Sequence, residues 1–387
     1  MPLMAGALAA IVVVGLIYLH PAFPGSHSVL RAATTASPPP VVPERYLVAY
    51  DFLTSAAGWA LVEDGSTAAP RFWVFKTSDA ARHWQRQLTG SASSPNAGPL
   101  KIQFFDRNNG LIALGGTEGV YRTGDGGNHW TALTMPSFSY SSLSFSDRLH
   151  GWALGTVLSG DPRISSSQFF STFDAGDHWV ALPQPPTWEF TAKGGFSNFA
   201  FRGPSEGWMG GYAQGQAVVY STIDAGNTWQ PHALPVTSAK GGLAQGSPPL
   251  LGSSVYLLPG AGLLAVAEDL NAGQVGLTSF DGGTTWRRLA PPPGNAGYSD
   301  FVFQDASHWW VMHFGVLFKS SDAGMSWQQV SLQLDDWDYV PQVIDAKHAW
   351  AQMVGVVPGL AASPGTGLAM TADGGVHWTP VHVPIPS

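Results

Sequence analysis

Residues Thr172–Trp179 read TFDAGDHW, and the pattern Ser/Thr-x-Asp-x-Gly-x-x-Trp that they follow occurs seven times in the 387 residues. We name this motif the repeated turn. Its aspartates are Asp79, Asp125, Asp174, Asp224, Asp281, Asp322 and Asp373, and its tryptophans are Trp84, Trp130, Trp179, Trp229, Trp286, Trp327 and Trp378. Repeats of roughly 40–50 residues are typical of arrays of equal supersecondary units. The repeat therefore decides the architecture.

Each residue of the repeated turn has a local structural purpose. The aspartate can accept hydrogen bonds from backbone N–H groups of the turn it opens. The glycine two residues later supplies a positive φ, and the tryptophan can fold back and bury a large apolar surface. We therefore interpret the aspartates and tryptophans as structural. The first copy has Ala81 in place of the glycine, which predicts a strained turn there.

A companion element precedes each repeated turn. Phe145 stands seven residues before Trp152, and a polar turn lies between them. The same spacing links Phe52 with Trp59, Phe104 with Leu111, Phe201 with Trp208, Phe303 with Trp310 and Val343 with Trp350. One unit reads as four short strands, the last of them beginning at His178 in the third unit. The register of the fifth unit, around Leu263, stays open.

The fold class that follows is all-β, with a seven-bladed β-propeller of four-stranded antiparallel blades over residues 46–387. Residues 1–23 contain the uncharged run Leu3 to Leu19, which predicts a hydrophobic helix acting as signal peptide or membrane anchor, with an uncleaved anchor slightly favoured. Residues 24–45 are proline-rich and predict a flexible linker. We therefore expect an extracytoplasmic protein, membrane-anchored or secreted, that meets the membrane only through this segment.

Composition narrows the range of partners. Charged residues make up only 11% of the chain, and the net charge is −8. A nucleic-acid-binding surface usually needs a basic face, so we expect no nucleic-acid partner. Seven of the twelve histidines fall at two equivalent positions of separate units, where they cannot gather around one ion, so we expect no metal and no cofactor.

Aromatic residues outside the repeat give the candidate binding site. Trp188 and Trp337 stand in connections between units beside other aromatic residues. The candidate set is Phe138, Tyr140, Trp188, Glu189, Phe190, Tyr298, Asp300, Trp337, Asp338 and Tyr339. In a propeller these connections open on the face opposite the repeated turns, where aromatic side chains suit a protein interface or a sugar-stacking platform. The alternative is that they only cover grooves between blades.

The motifs, and above all the stretches Phe145–Gly155 and Thr172–Trp179, resemble the Asp-box or bacterial neuraminidase (BNR) repeat. Within that group they are most similar to photosystem II stability/assembly factors. The resemblance implies an exported or lumenal propeller that binds partner proteins without catalysis. Sialidases and xyloglucan-degrading glycosidases share the repeat, so an enzyme has to be considered.

Enzymatic alternatives find limited support in the residues. Arg202 resembles a sialidase arginine, but it stands where an ordinary turn between the first two strands is expected. A different glycoside hydrolase would need two facing carboxylates; the candidates are Glu189, Asp300, Asp335, Asp336 and Asp338. We therefore expect a non-catalytic protein-binding or assembly scaffold, with a glycoside hydrolase or carbohydrate-binding propeller as the alternative. The sequence gives no indication of oligomeric state.

Overall fold

The computed structural model describes residues 46–64, 70–91, 100–114, 119–135, 138–158, 165–183, 198–213, 216–236, 253–269, 273–291, 301–313, 316–331, 338–354, 368–381 and 384. Of these, the side chains of residues 46–47, 138–141, 156–158, 165–167, 212–213, 216, 268–269, 273, 313, 331, 338–340 and 353–354 are outside the description. The predicted N-terminal helix and linker, residues 1–45, also lie outside it. Within the described ranges no helix is long and apolar enough to cross a membrane.

The described residues form 28 strands in seven sheets. Sheet 1 holds β1 (Tyr46–Phe52), β2 (Gly58–Asp64), β3 (Arg71–Thr77) and β4 (Gln85–Ser91). Sheet 2 holds β5 (Lys101–Phe104), β6 (Gly110–Ala113), β7 (Val120–Thr123) and β8 (Thr131–Leu133). Sheet 3 holds β9 (Phe138–Phe145), β10 (Gly151–Leu158), β11 (Ser165–Thr172) and β12 (Val180–Leu182). Sheet 4 holds β13 (Phe199–Arg202), β14 (Glu206–Ala213), β15 (Gln216–Thr222) and β16 (Gln230–Ala233).

Sheet 5 holds β17 (Ser253–Leu257), β18 (Leu263–Asp269), β19 (Gly273–Ser279) and β20 (Arg287–Arg288). Sheet 6 holds β21 (Phe301–Phe303), β22 (Trp309–His313), β23 (Val316–Ser320) and β24 (Gln328–Ser331). Sheet 7 holds β25 (Asp338–Val343), β26 (Ala349–Val354), β27 (Leu368–Thr371) and β28 (Thr379–Pro380). Each sheet is built from four consecutive, antiparallel strands. The predicted seven-bladed propeller of four-stranded blades is confirmed.

One detail differs from the sequence prediction, and one that the sequence left open is resolved. The fourth strand of sheet 3 begins at Val180 rather than at His178, because His178 is still bonded to the aspartate of its own turn. The open register of the fifth unit is resolved by the pairing of Leu257 with Leu263. Leu257 and Leu264 thus occupy the positions that Phe and Trp hold in most other sheets. Because both aromatic residues are replaced, the seven-residue Phe–Trp spacing was not recognisable in this unit.

The repeated turn joins the third strand of each sheet to the fourth, and it lies at the same edge as the turn between the first two strands. In sheet 3 the backbone N–H of Ala175, directly after the aspartate, donates to the carbonyl of Leu149 in that first turn, at 2.9 Å. The same bond runs from Ala80, Gly126, Ala225, Ala323 and Gly374 in five other sheets. The two turns of each sheet are therefore bonded together at the same end of the strands. We name the surface that these turns form the turn face.

Neighbouring sheets are joined by aromatic stacking. The second-strand tryptophan of one sheet stacks on the first-strand phenylalanine of the next, as in Trp59 on Phe104 and Trp152 on Phe201, each with 3.6 Å between ring centroids. The indole N–H also donates to a backbone carbonyl of the next sheet's repeated turn: Trp59 to Gly126, Trp152 to Ala225 and Trp208 to Gly282. The indole N–H thus has an acceptor while the ring is buried between the two sheets, so this one side chain both packs and hydrogen-bonds across the interface. We call it the sealing tryptophan.

The ring closes by the same device. Trp350 of sheet 7 stacks on Phe52 of sheet 1 with 3.8 Å between centroids. The Gln342 side chain accepts from the Phe52 N–H at 2.9 Å and donates to Asp51 at 2.8 Å. Because every sheet consists of consecutive strands, side chains rather than an exchanged strand hold the first and last sheets together.

Candidate functional site

The carboxylates of the repeated turns are all engaged within their own turns. In the third unit, Thr172 Oγ1 donates to Asp174 Oδ1 at 2.9 Å and accepts from the Gly176 N–H at 2.9 Å. Asp174 Oδ1 also accepts from the His178 N–H, and its Oδ2 from the His178 ring. The other six units repeat this scheme, with histidine, threonine or serine at the last position. These bonds agree with a structural role for the seven aspartates, which stays a prediction.

Hydrogen bonding also sets the charge state of these groups. Bonds from the residue four positions later lower the pKa of Asp79, Asp125, Asp174, Asp281, Asp322 and Asp373 to about 2. A carboxyl with so low a pKa stays ionised near neutral pH and is a poor proton donor. The turns therefore have the chemistry of a scaffold rather than of an acid catalyst.

Ala81 adopts a left-handed conformation, with φ of 59°, where the six glycines have φ between 78° and 96°. Such a backbone costs roughly 1–2 kcal/mol for an alanine. The strain expected from the sequence is thus present in the first turn, although Ala81 is fully buried and packed in the core.

Two of the seven interfaces lack the sealing tryptophan, since Leu111 and Leu264 stand at its position. Between sheets 5 and 6 a different tryptophan compensates: Trp309 is fully buried against Leu264, and its ring approaches Gly324 of the turn. Between sheets 2 and 3 the residue equivalent to Trp309 is Gly151, which contributes no side chain. That interface keeps an open cleft.

The cleft has a volume of about 430 Å³ and opens on the turn face. Its apolar lining consists of the buried residues Leu111 and Phe145 together with Phe105 and Phe173. Phe173 is 48% exposed, a large fraction for an aromatic side chain. Arg148, which is exposed, completes the rim.

Arg122 replaces the missing indole as hydrogen-bond donor. Its guanidinium donates to the carbonyls of Asp174 and Ala175 at 3.2 and 3.4 Å, and to the Asp177 carboxylate at 2.8 Å. The carbonyl of Ala175 is the one that an indole N–H would reach at other interfaces. Arg122 thus supplies hydrogen bonds to the backbone carbonyls between sheets 2 and 3, but it does not fill the volume of the cleft.

Exposed apolar side chains continue from the cleft along the turn face. The residue just before the aspartate is Phe173 in sheet 3, Ile223 in sheet 4 and Phe280 in sheet 5. Their exposed fractions are 48%, 81% and 50%. Large apolar side chains are thus exposed at the same turn position of three consecutive blades, and we name this set the apolar arc.

The first strands contain a buried pair of titratable groups, but both are occupied. Burial raises the pKa of Asp51, whose oxygens accept from the Phe104 N–H and the Gln342 amide. Burial lowers the pKa of Lys101 to about 8, and its ammonium donates to the Leu143 carbonyl at 2.7 Å. These side chains bridge adjacent first strands, which indicates a structural role.

The aromatic site predicted from the sequence lies outside the described side chains. Trp188, Glu189, Phe190, Tyr298, Asp300 and Trp337 belong to undescribed segments, as do the further acids Asp335 and Asp336. The backbone places Phe138 and Tyr140 in β9, and Asp338 and Tyr339 in β25, so these four stand in first strands rather than in connections. The site stays a prediction.

Arg202 is the last residue of β13, where the turn to β14 begins, close to the position that the sequence suggested. Its guanidinium donates to the carbonyls of Leu258 and Gly262 in sheet 5 at 3.3 and 2.8 Å, and it packs over Trp208. It therefore joins sheets instead of presenting a free cation to a carboxylate ligand. Among the described side chains, no group of three or more histidine and acidic residues could hold a metal ion.

The sequence matches no family model and no curated protein. Similar solved structures include YCF48 from Cyanidioschyzon merolae, at 20% identity over 73% of this chain and 84% of that chain, with a TM-score of 0.49. A YCF48 bound to D1 peptide matches at 18% identity over 72% and 94%, with a TM-score of 0.35. A puromycin-hydrolyzing peptidase of Mycobacterium tuberculosis matches at 12% identity over 89% of this chain but only 55% of its own, with a TM-score of 0.58. Identities this low indicate a shared propeller fold and nothing finer.

Proposed function

We propose that the chain is a non-catalytic propeller that binds a partner protein through its turn face. The observation that carries this proposal is the apolar arc of Phe173, Ile223 and Phe280, which ends at the cleft between sheets 2 and 3. Hydrogen-bonded hairpin turns fix the backbone at these positions, so little backbone entropy is lost when a partner covers the side chains. Apolar and aromatic side chains on such a scaffold are the usual core of a protein interface.

Location and family are part of the same proposal. The uncharged run Leu3 to Leu19 supports an extracytoplasmic protein tethered through its N-terminal segment. The motif Ser/Thr-x-Asp-x-Gly-x-x-Trp with its companion strand supports membership of the Asp-box (BNR) repeats and a role like that of the photosystem II assembly factors. The predicted aromatic face around Trp188 and Trp337 would be a second contact surface on the opposite edge.

A site-specific photo-cross-linker tests the turn face. We would place p-benzoylphenylalanine at Ile223 or Phe280 of the full chain in its native cells and identify adducts by mass spectrometry. The control position is Val180, which is equally apolar and 61% exposed but lies in a fourth strand at the outer rim. One dominant adduct at the two turn-face positions and none at Val180 is the expected result. Equal or absent adducts at all three would refute the proposed surface.

A separate assay addresses the enzymatic alternative. The purified chain is incubated with sialosides and β-glucan oligosaccharides, and we expect no turnover. Hydrolysis that disappears in Asp338→Asn or Glu189→Gln would establish a glycoside hydrolase and overturn the proposal. A parallel pull-down with Trp188→Ala/Trp337→Ala measures whether the opposite face contributes to partner binding.

A further inference from the structure

We infer that the cleft between sheets 2 and 3 binds a tryptophan side chain of the partner protein. This inference rests on the proposed function and names the chemistry of one contact within it. Leu111 leaves open the volume that an indole fills at the equivalent position of five sheets, namely Trp59, Trp152, Trp208, Trp310 and Trp350. The tryptophan side chains at these five positions therefore indicate which side chain fits the cleft between sheets 2 and 3.

The first support is geometric. At three interfaces the indole lies flat on the phenylalanine of the next sheet, with centroid distances of 3.6–3.8 Å and interplanar angles of 3–10°. Between sheets 2 and 3 the phenylalanine is retained as Phe145, a buried residue that lines the cleft. Phe145 also keeps the edge-on contact with its own turn's Trp179, as Phe104 does with Trp130. Phe105 also approaches Phe145, with 6.3 Å between ring centroids, but its interplanar angle of 54° is tilted, so it does not make the flat contact that the indole makes at the other three interfaces.

The second support is electrostatic. Trp59 pairs across its sheet with Lys76, whose ammonium lies 5.2 Å from the indole centroid, and Trp310 pairs likewise with Lys319, at 3.6 Å. The residue that pairs with Leu111 at the same position is Arg122. The cation that covers the indole elsewhere is therefore present here without its ring, and a guanidinium attracts the face of an aromatic ring.

The third support concerns access. The only other interface without the sealing indole is filled from inside by Trp309, whereas Gly151 leaves this one open to the turn face. Phe173, at the end of the apolar arc, forms one wall of the opening. Arg148 forms another and offers donors to the partner's backbone. A partner lying across the arc would thus pass directly over the cleft.

The test uses N-acetyl-tryptophanamide as probe and the full chain as receptor, with binding followed by saturation-transfer NMR or calorimetry. We expect saturable binding to the wild type and none of comparable strength for N-acetyl-leucinamide. Leu111→Trp fills the cleft with the chain's own indole and should lower the affinity for the probe at least tenfold. Arg148→Ala should weaken it several-fold, whereas Arg107→Ala, at the same turn position beside an interface sealed by Trp59, should leave it unchanged.

Thermal unfolding accompanies each variant, and Phe173→Ala provides a second wall substitution should Leu111→Trp fail to fold. Absence of saturable binding to the wild type, or equal binding to Leu111→Trp or to a folded Phe173→Ala, would overturn the inference. The proposed function can fail separately. Persisting cross-links at Ile223 with no probe binding reject only the cleft, whereas loss of the cross-links rejects the turn face itself.

Discussion

At the scale of single residues, the hydroxyl that opens each repeated turn is as important as the aspartate. Thr172 is buried, and its Oγ1 both donates to Asp174 and accepts from the Gly176 N–H. The serines at Ser279 and Ser320 make the same two bonds. The motif therefore requires a hydroxyl, and the choice between threonine and serine changes only a methyl group.

Replacing this hydroxyl by a methyl group should be costly. In Thr172→Val the buried Gly176 N–H loses its acceptor, and an unsatisfied buried donor costs about 1–3 kcal/mol. Urea denaturation should show that loss in the free energy of unfolding. Thr172→Ser keeps the hydroxyl and is the matched control, for which we expect a smaller loss. Equal losses for the two variants would show that the hydroxyl bonds contribute nothing.

The lowered aspartate pKa values predict sensitivity to acid. The unfolded chain has aspartates with a pKa of about 4, whereas bonds from Thr285 and Ser279 hold the pKa of Asp281 at about 2. A carboxyl whose pKa is lowered by folding stabilises the fold above its unfolded pKa, and this contribution is lost as the pH falls through the folded pKa. The thermal midpoint should therefore fall between about pH 4 and pH 2.

The variant Asp281→Asn removes one such carboxyl, whose hydrogen-bond partners Thr285 and Ser279 do not titrate; its charge also raises the pKa of the nearby His232. The amide keeps part of the hydrogen bonding but no charge that pH can remove. We expect a lower midpoint at neutral pH and a shallower fall on acidification than in the wild type. Identical pH profiles for the two proteins would contradict a linked role of Asp281.

At the scale of the strand pair, glycine and phenylalanine occur together. In four sheets a glycine at or next to the start of the second strand pairs with the first-strand phenylalanine: Gly58 with Phe52, Gly110 with Phe104, Gly151 with Phe145 and Gly207 with Phe201. A Cβ on any of them would come within 2.2–2.5 Å of the ring. Sheet 7 solves the same problem with Val343 and Ala349. Ring and glycine are thus one packing unit.

A double-mutant cycle measures this coupling. Gly207→Ala forces its Cβ to 2.4 Å from Phe201 Cε1, and overpacking of this kind costs about 1–3 kcal/mol. In the Phe201→Val background, which copies the pair of sheet 7, the same glycine change should cost little. The free energies of unfolding of the four proteins give the interaction energy directly. An additive cycle would mean that the ring does not restrict residue 207.

The contrast between the turns and the cleft shows what a sequence reveals at this scale. The repeated turn is local, so its aspartate bonds, its glycine conformation and its place after the third strand were predicted from spacing alone. The cleft, by contrast, depends on residues of different sheets. Leu111 in sheet 2 replaces the tryptophan, and Gly151 in sheet 3 adds no side chain where sheet 6 has Trp309. Leu111 was visible in the sequence as a departure from tryptophan. The cleft that results was not visible in the sequence, because the residue at the compensating position, Gly151, belongs to the neighbouring blade.

At the scale of the whole molecule, the repeat predicted the number and type of blades, and equivalent contacts join most neighbouring sheets. The seam between sheets 7 and 1 has the stacked pair Trp350 and Phe52, as other seams do. It differs in one respect: sheets 7 and 1 are not consecutive in the chain, so no connection between blades joins them directly. Gln342 reinforces it with bonds to both the N–H and the carbonyl of Phe52.

We therefore expect Gln342→Leu to loosen the ring at this seam. The Phe52 N–H loses its acceptor, and hydrogen exchange should speed up in β1 and β25. Gln103→Leu is the matched control, since Gln103 holds the same position in sheet 2 and bonds to the Phe145 carbonyl at 3.2 Å. There the covalent connection limits separation, so exchange in β5 and β9 should change less. Equal effects at both seams would show that closure adds no special dependence on Gln342.

The construction of every sheet from four consecutive strands has a practical consequence for engineering. No blade borrows a strand from another, so cutting the chain between two blades leaves each sheet's hydrogen-bond ladder whole. In the ring of blades the step from β28 back to β1 corresponds to the step from β4 to β5, which the chain makes with residues 92–100. A circular permutant with a linker of similar length between Pro380 and Tyr46, and new termini at any other inter-blade connection, should close into the same ring.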